Sequence, residues 1–424
     1  MYLTAMTHRE ELFNLTMRWM NDDFHPDDGE KISRIFLYES AVSAMVLDRV
    51  IQFLNRLYQG PLQMERIHRK SDLRRQLIAH RPGQNPRMDE LAEEFNENPT
   101  YFFPHLPIDA VAITDKTSRL IAITRIKRLS RIAEKVSFRL VDALHKEIQA
   151  KAEKLANHRA GAAGLPLKAF VSSPSDMQKD FIEAEASVVR RFRDKQVRIA
   201  PKELIINDII GFKIIDQPEV IETLPELFSR EPGVTVKEIE RHQGHYNAVN
   251  LLLDIALPAR DVLTARLSGM NWETARLRGL DPDEIQKNLS AYVSQGAGSV
   301  RIELILTTPE ELLEAEFGRS IHELRVLRLR QRQAYGGLLG QNAGYLVEYL
   351  LSLAASPITR IPQIPIKLYG RYLPEEIATL KCDLHGNTID GGLLGTFCLQ
   401  KDCPGRFCPA NQETGRQGDI HMEG

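Results

Sequence analysis

The sequence predicts an α+β fold, with a mixed-sheet domain preceded by an all-helical domain and followed by a small Cys/His tail. Apolar residues recur at helical spacing from Glu30 to Tyr58, which indicates a long amphipathic helix early in the chain. Between residues 205 and 257, β-branched segments and one helical segment follow in the order β-α-β-β, which is typical of a mixed sheet. All 4 cysteines lie beyond residue 380, which indicates one local thiol-based feature.

Length and charge exclude several classes of protein. With 424 residues the chain has room for two or three domains, and its formal charge of -2 gives no global cationic signature of a nucleic-acid coat protein. An anionic substrate must therefore be held by a local cluster of cations. No apolar run approaches the roughly 20 residues that span a bilayer, and the start of the chain lacks the order of a secretory signal. We expect a cytoplasmic protein with no membrane partner.

The region 1–157 is predicted to be helical. After the first long helix, residues 63–98 are strongly charged and read as helical pieces, residues 102–114 read as irregular, and a second long helix is predicted over 118–157. The domain boundary is placed at the Gly- and Ala-rich stretch 158–166. No adjacent His-Asp pair occurs before residue 160, which argues against a metal phosphohydrolase built on such a pair.

A basic segment follows that boundary. Five cations lie within nine residues, at Arg190, Arg191, Arg193, Lys195 and Arg198. Guanidinium groups suit triphosphate oxygens because they bind them bidentately and keep their charge. The same run is also typical of a solvated helix face, and the run alone favours that interpretation.

Two carboxylates sit on predicted strands in the region 158–333. Asp208 is flanked by Ile pairs, and an aspartate in such an apolar strand is either paired or binds something. Glu303 lies on the strand 299–308 and points to the opposite face from its apolar neighbours. Residues 261–293 are predicted to be an inserted helical excursion. Thr308 is a predicted N-cap of a helix that runs to about residue 333.

Four motifs in this region resemble those of the RelA/SpoT-type alarmone synthetases. Residues 208–213 resemble the family's Asp-x-x-Gly-x-Arg strand, and residues 245–250 its Gly-Tyr-x-Ser-x-His strand. Residues 303–308 resemble Glu-x-Gln-x-Arg-Thr, and residues 315–322 match the helix Ala-Glu-x-Gly-x-x-x-His. The resemblance covers about residues 168–330 and implies a nucleotidyltransferase-like fold.

The resemblance implies a Mg²⁺-dependent transfer of the β,γ-pyrophosphate of ATP to the 3′-hydroxyl of GTP or GDP. Asp208 is then the Mg²⁺ ligand, Glu303 a second ligand or the base that takes the hydroxyl proton, and Tyr246 a stacking partner for guanine. The basic segment from Lys179 to Arg193 would hold the ATP phosphates, and within or beside it Ser175–Lys179 and Ser187–Arg191 both resemble the family's Ser-x-x-x-Lys element. The implied substrate-binding residues are Lys179, Arg190, Arg191, Lys213, Tyr246, Asn250 and His322.

The sequence departs from the family at four of these positions. Lys213 replaces a strand Arg, Asn250 replaces His, Ile305 replaces Gln and Thr307 replaces Arg. Two alternatives therefore stay open. One keeps the chemistry with a tRNA 3′ end as acceptor, with the basic run 325–332 along the RNA backbone. The other is a catalytically lapsed protein that senses a nucleotide or binds RNA or the ribosome.

The C-terminal part is predicted to hold a linker and helical segment over 334–375, a metal-binding module over 376–412 and a disordered tail over 413–424. Four thiols and one imidazole lie within 27 residues, which is enough for a structural Zn²⁺ site of Cys₃His or Cys₄ type. Free thiols and an iron–sulfur cluster are the alternatives. The candidate ligands are Cys382, His385, Cys398, Cys403 and Cys408.

Overall fold

The computed structural model describes residues 1–80, 85–170, 174–196, 198–319, 321–332 and 337–385. Its strands are β1 (Tyr2–Leu3), β2 (Gln63–Arg69), β3 (Pro107–Thr114), β4 (Leu120–Ile126), β5 (Ile205–Ile206), β6 (Ile210–Ile215), β7 (Val234–His242), β8 (Ala248–Ala256) and β9 (Ser299–Thr307). Its α-helices are α1 (Arg9–Met20), α2 (Asp28–Leu57), α3 (Lys70–Ala79), α4 (Pro86–Glu97), α5 (Leu129–Ala162), α6 (Leu167–Phe170), α7 (Pro174–Arg193), α8 (Pro218–Arg230), α9 (Arg260–Ser268), α10 (Pro282–Lys287), α11 (Leu289–Gln295), α12 (Pro309–Glu316), α13 (His322–Arg332), α14 (Gly337–Leu353) and α15 (Pro374–His385).

Seven strands form one mixed sheet in the order β2-β3-β4-β6-β9-β8-β7. Every neighbouring pair is antiparallel except β6 and β9, which are parallel. The short strands β1 and β5 form a separate parallel pair, which ties the start of the chain to the segment before β6. The predicted α+β class with a mixed sheet is therefore confirmed.

The two faces of the sheet differ in polarity. Alternate residues of β6, β8 and β9, such as Phe212, Leu251 and Leu304, are buried in the main core, which α2 shares. The other face is apolar only at one end, where α3, α4 and α12 pack over β2–β4 in a second cluster of buried residues. Its remaining strip carries polar side chains at positions such as Glu303 and Asn250. That strip is where the candidate site lies.

The expectation of an all-helical N-terminal region is wrong. Residues 63–69, the first part of the segment 63–98 that is predicted to be helical, form the strand β2. The segment 102–114, predicted to be irregular, contains β3, and β4 occupies the start of the predicted second long helix. In β4 only Arg125 is not buried, so both of its faces are apolar. A short run buried on both faces has no alternation that would distinguish it from a helix. Strands from both sides of the predicted boundary at 158–166 share the sheet, and that boundary falls at the end of α5.

Several other predictions have clear outcomes. The segment 261–293 is helical as predicted, and Thr308 caps α12 by accepting a hydrogen bond from the Glu311 backbone at 3.3 Å. The helix predicted to run to about residue 333 is interrupted, because α12 ends at Glu316 and α13 begins at His322.

The linker part of 334–375, residues 358–373, has no regular secondary structure, yet Ile361, Ile364 and Ile366 in it are buried in the main core. Among the helices described here, none combines the length and apolar character that a membrane span needs.

Candidate active site

A cavity of about 340 Å³ opens on the polar strip of the sheet, under α5. Asp208 and Glu303, the two carboxylates that the sequence singles out, both line it. Further polar side chains around it are Lys135, Arg139 and Asp142 from α5, Glu238 and Glu240 from β7, Asn250 from β8, and Asn207 next to Asp208. The cavity therefore contains carboxylates and cations together.

Sheet register brings these separate segments to one place. Glu303 on β9 is the Cα partner of Gly211 on β6 and of Leu252 on β8. Asp208 precedes Gly211 by three residues, in the short connection between β5 and β6. Because β6 and β9 are parallel, the start of β6 lies beside the middle of β9. Asp208, just before β6, thus lies close to Glu303 on the neighbouring strand β9.

Two lysines hold the Asp208 carboxylate. Lys127 Nζ lies 2.8 Å from Asp208 Oδ2, and Lys135 donates a hydrogen bond to the same oxygen. Burial opposes ionisation of Asp208, but the two ammonium groups outweigh it and hold its pKa well below the usual range. Burial lowers the pKa of Lys127 to about 8 although Asp208 acts in the opposite direction, and the 2.8 Å contact favours an ionised pair at neutral pH. Both contacts use Oδ2, which leaves Oδ1 as the oxygen available to a ligand of the cavity.

Glu303 differs from Asp208 in having no ion pair with any residue that the structure describes. On the neighbouring strand, Asn250 Oδ1 is buried and accepts no hydrogen bond from the described residues. Glu303, Asn250 and Asp208 thus offer oxygen atoms of the kind that Mg²⁺ prefers. Within the described ranges no group of three or more His, Cys, Asp or Glu side chains could hold a metal alone. Mg²⁺ is usually held by one or two carboxylates together with substrate phosphates, so this donor set fits it.

A second polar group on the same face surrounds Tyr246. The guanidinium carbon of Arg325 lies 4.8 Å from the centre of the Tyr246 ring, and the His242 ring lies at 5.6 Å. Burial raises the pKa of Tyr246, so its hydroxyl stays protonated. His322, at the start of α13, is largely buried near Arg125. Burial, reinforced by the nearby cations, lowers the pKa of His322 to about 2, so its imidazole is neutral.

Lys213 faces a closed ion-pair network instead of the cavity. Burial lowers its pKa to about 8, and the negative charge of Glu316 is the largest influence that raises it. Glu316 itself lies 2.6 Å from Lys70 Nζ and 3.4 Å from Arg74, which also contacts Glu323 at 3.1 Å. These four side chains, Lys70, Arg74, Glu316 and Glu323, are called the buried network below. They tie α3 to the end of α12 and the start of α13.

The predicted phosphate-binding residues Lys179, Arg190 and Arg191 lie on α7, which packs along α5. Lys179 and Arg190 are exposed, and Arg191 forms an ion pair with Glu147 of α5. None of the three is among the residues that line the cavity. The cations beside Asp208 come instead from the segment 124–139, which begins with the basic run Thr-Arg-Ile-Lys-Arg. That run is the sequence feature that could have identified Lys127 as a site residue, but its pairing with Asp208 depends on the long-range contact of β4 with β6.

The candidate zinc ligands fall mostly outside the described residues. Cys382 is exposed on α15 as a free thiol, and α15 ends at His385. Cys398, Cys403 and Cys408 lie beyond residue 385, outside the described residues. The metal-binding module stays a prediction.

Comparisons with known proteins were made by sequence and by structure. No protein-family profile and no curated protein matches the sequence. Among solved structures, the small alarmone synthetase 1 from Bacillus subtilis is 17% identical over 37% of this chain and 69% of that chain, with a TM-score of 0.17. Its form bound to the product pppGpp is 16% identical, with a TM-score of 0.18. A GTP pyrophosphokinase family protein from Streptococcus pneumoniae is 9% identical over 51% of this chain and 95% of that one, with a TM-score of 0.17. Because these TM-scores lie far below 0.5, the interpretation of the site rests on its own residues.

Proposed function

We propose that the chain is a Mg²⁺-dependent pyrophosphotransferase, which moves the β,γ-pyrophosphate of ATP to the 3′-hydroxyl of GTP or GDP. The observation that carries the proposal is that Asp208 and Glu303 line one cavity that also presents Lys135 and Arg139. Carboxylates for a metal and cations for phosphates are what transfer between two nucleotides requires. The four motifs around these acids give the proposal its reaction type.

Each residue has a stated part in the proposed reaction. Asp208 Oδ1 and Glu303 would hold Mg²⁺, which when bound neutralises the phosphate oxygens that carry developing charge. The acceptor 3′-oxygen forms a bond to the β-phosphorus of ATP while the bond from that phosphorus to the α,β-bridging oxygen breaks, so AMP leaves. Glu303, which forms no ion pair with the residues that the structure describes, takes the proton of the attacking hydroxyl with its second carboxylate oxygen. Lys135 and Arg139 bind phosphate oxygens.

The acceptor side would lie toward Tyr246. Its ring has Arg325 within 4.8 Å, and we assign stacking of the acceptor base to this aromatic group. The neutral His322 can accept or donate one hydrogen bond without adding charge. These assignments extend the proposal from the donor to the acceptor nucleotide.

A changed acceptor is the second candidate, and one observation favours it. Three of the four departures from the family motifs, Lys213, Ile305 and Asn250, are Cα partners in one row across β6, β9 and β8. This row lies directly beside the row of Glu303, and Asn250 in it lines the cavity, so the departures are concentrated next to the proposed acceptor side. The chemistry would then be the same, with another nucleotide or a tRNA 3′ end as acceptor.

The deciding experiment separates these candidates by their products. The full chain is incubated with Mg²⁺, ATP labelled in the γ-phosphate and, in turn, GTP, GDP, other nucleotides and tRNA. We expect AMP release and a pyrophosphorylated guanosine nucleotide. Label on tRNA or on another nucleotide would support the second candidate, and no AMP release with any acceptor would contradict both and leave a lapsed, ligand-sensing protein.

A matched pair of variants tests the site itself. Glu303→Gln is expected to lower kcat by about 10²–10⁴-fold, the range for loss of a general base. Asp254→Asn is the control, because Asp254 lies on the same face of the adjacent strand but pairs with Arg301 at 2.6 Å and does not line the cavity. Equal losses of kcat in both variants would mean that the loss in Glu303→Gln does not arise from a specific role of Glu303.

A further inference from the structure

The two lysines that hold the Asp208 carboxylate differ in how firmly they are bound. The side chain of Lys127 is 12% exposed, and its ammonium group contacts both the carboxylate and the backbone carbonyl of Asp208. The side chain of Lys135 is 32% exposed, and in the described part of the chain it forms no ion pair except the one with Asp208. Of the two, Lys135 alone lines the cavity. Lys135 is therefore the lysine that can exchange Asp208 for a ligand.

The position of Lys135 on α5 favours such an exchange. Four residues of α5 line the cavity at the spacing i, i+3, i+4 and i+7, which places them on one face of the helix: Lys135, Phe138, Arg139 and Asp142. A lysine carries its charge on a flexible four-carbon stem with three donor hydrogens. Its ammonium group can therefore turn from one acceptor to another while the helix stays in place.

The charges of the cavity wall disfavour each expected ligand when it arrives alone. Among the lining residues, five are acids and two are cations, namely Asp142, Asp208, Glu238, Glu240 and Glu303 against Lys135 and Arg139. A triphosphate without a metal ion would meet a wall that is mostly negative. A divalent cation without a nucleotide would meet Asp208 with two ammonium groups already on its carboxylate, and these like charges oppose its binding.

We propose that Lys135 couples metal binding to nucleotide binding, because it pairs with Asp208 while the nucleotide is absent and moves to a phosphate oxygen when the nucleotide binds. This inference rests on the proposed function, since it takes Asp208 as a Mg²⁺ ligand. The departure of one ammonium group strengthens the hold of Asp208 on a divalent cation, and the phosphate gains a charged donor. Lys127 stays on Asp208 in both states. By linkage, each ligand raises the affinity of the other by the same factor.

The first test measures metal binding without a nucleotide. Mn²⁺ is titrated into the full chain in place of Mg²⁺, and free Mn²⁺ is followed by EPR spectroscopy. Lys135→Gln should bind Mn²⁺ about tenfold or more tightly than the wild type, because a like charge about 5 Å from a cation weakens its binding by at least that factor. Lys135→Ala tests the same loss of charge with a second side chain.

Two control variants separate charge from other effects of substitution. Lys135→Arg keeps the positive charge and should bind Mn²⁺ within about threefold of the wild type. Lys146→Gln removes the same charge from an exposed position about 16 Å further along α5, which does not line the cavity. Its Mn²⁺ affinity should also stay within about threefold, because solvent screens a charge at that distance.

The second test measures nucleotide binding in the same variants. The ligand is α,β-methylene ATP, whose bridging carbon prevents the transfer, and it is titrated by calorimetry with Mg²⁺ present. Lys135→Gln should bind it about tenfold more weakly than the wild type, the loss expected for one charge-assisted hydrogen bond. One substitution then has opposite effects on two ligands. A purely structural ion pair would not produce that result, and neither would a lysine that binds phosphate alone.

The outcomes distinguish this inference from the proposed function. Mn²⁺ affinity that is unchanged or lower in both Lys135→Gln and Lys135→Ala would overturn the coupling, as would equally tight Mn²⁺ binding in Lys135→Arg. The proposed function fails by a different observation, the absence of AMP release with every acceptor, which neither binding test requires.

Discussion

Two groups of acids on the same face of the sheet, those of the buried network and those of the cavity, differ in how completely they are paired with cations. In the buried network, Glu316 and Glu323 are at most 7% exposed and each contacts both Lys70 and Arg74. At the cavity, Asp208 contacts two lysines through one oxygen only, and Glu303 has no ion pair among the described residues. Each acid of the buried network is paired with both of its cations, whereas the cavity leaves carboxylate oxygens without an ion pair among the described residues.

Desolvation explains the difference. Burial alone would raise the pKa of Glu316, but Lys70, Lys213 and Arg74 outweigh it and hold that pKa below its usual range. A charge so deep in the protein is tolerated only with such partners. Glu303 lies on a cavity wall, where water or a bound cation can compensate its charge. The comparison therefore explains the buried network as a contribution to stability, and it supports the proposal that the cavity acids bind a ligand.

Breaking the network should produce the largest effect on stability. Glu316→Gln is expected to cost about 3–5 kcal/mol in the free energy of unfolding, because it leaves buried cations without one of their two carboxylates. Denaturant unfolding measures it. The control Glu226→Gln removes an exposed i,i+4 pair with Arg230 and should cost less than about 1 kcal/mol. A Glu316→Gln value near the control would mean that the network contributes little.

The sequence predicted the parts of this comparison that are local. Asp208 and Glu303 stand out because carboxylates on apolar strands are uncommon, and the Thr308 cap has a short-range signature. The mixed sheet around them follows from the element order. All of these depend on neighbours within a few residues.

The parts that sequence reasoning missed depend on distant neighbours. Lys127 meets Asp208 only because β4 pairs with β6, and β4 was read as helix since its apolar residues cover both faces. Glu316 meets Lys70 across 246 residues, which no spacing rule encodes. Lys213 was assigned to substrate, but its burial beside Glu316 shows how one strand position can belong to either group.

The pH dependence of stability should show the effect of His322, a residue whose pKa is lowered by burial and by cations that include Lys70 of the buried network. Its folded pKa of about 2 lies below the unfolded value of 6.5, so the unfolded chain binds the proton more readily between these values. Stability is then present above pH 6.5 and is lost as pH falls. From pH 6.5 to 4.5 we expect a loss of about 1–2 kcal/mol from this group, allowing for some solvent screening.

The measurement is the pH dependence of unfolding in the wild type and in His322→Gln. The variant cannot take up the proton, so its stability should change less over this interval. Identical slopes would show that His322 takes up a proton equally readily in the folded and the unfolded chain. Burial and the cations Arg125 and Lys70 would then not lower its pKa.

Thr308 gives the smallest effect and tests whether α12 is held by its cap or by the network. Its hydroxyl accepts from the Glu311 backbone at 3.3 Å, and α12 ends at Glu316. Thr308→Ala should cost about 1 kcal/mol, the usual value for a lost N-cap, whereas Thr308→Ser should be close to neutral. If the cap and the network act independently, the costs of Thr308→Ala and Glu316→Gln add in the double variant. A double variant no less stable than Glu316→Gln alone would mean that the network must be intact before the start of α12 contributes.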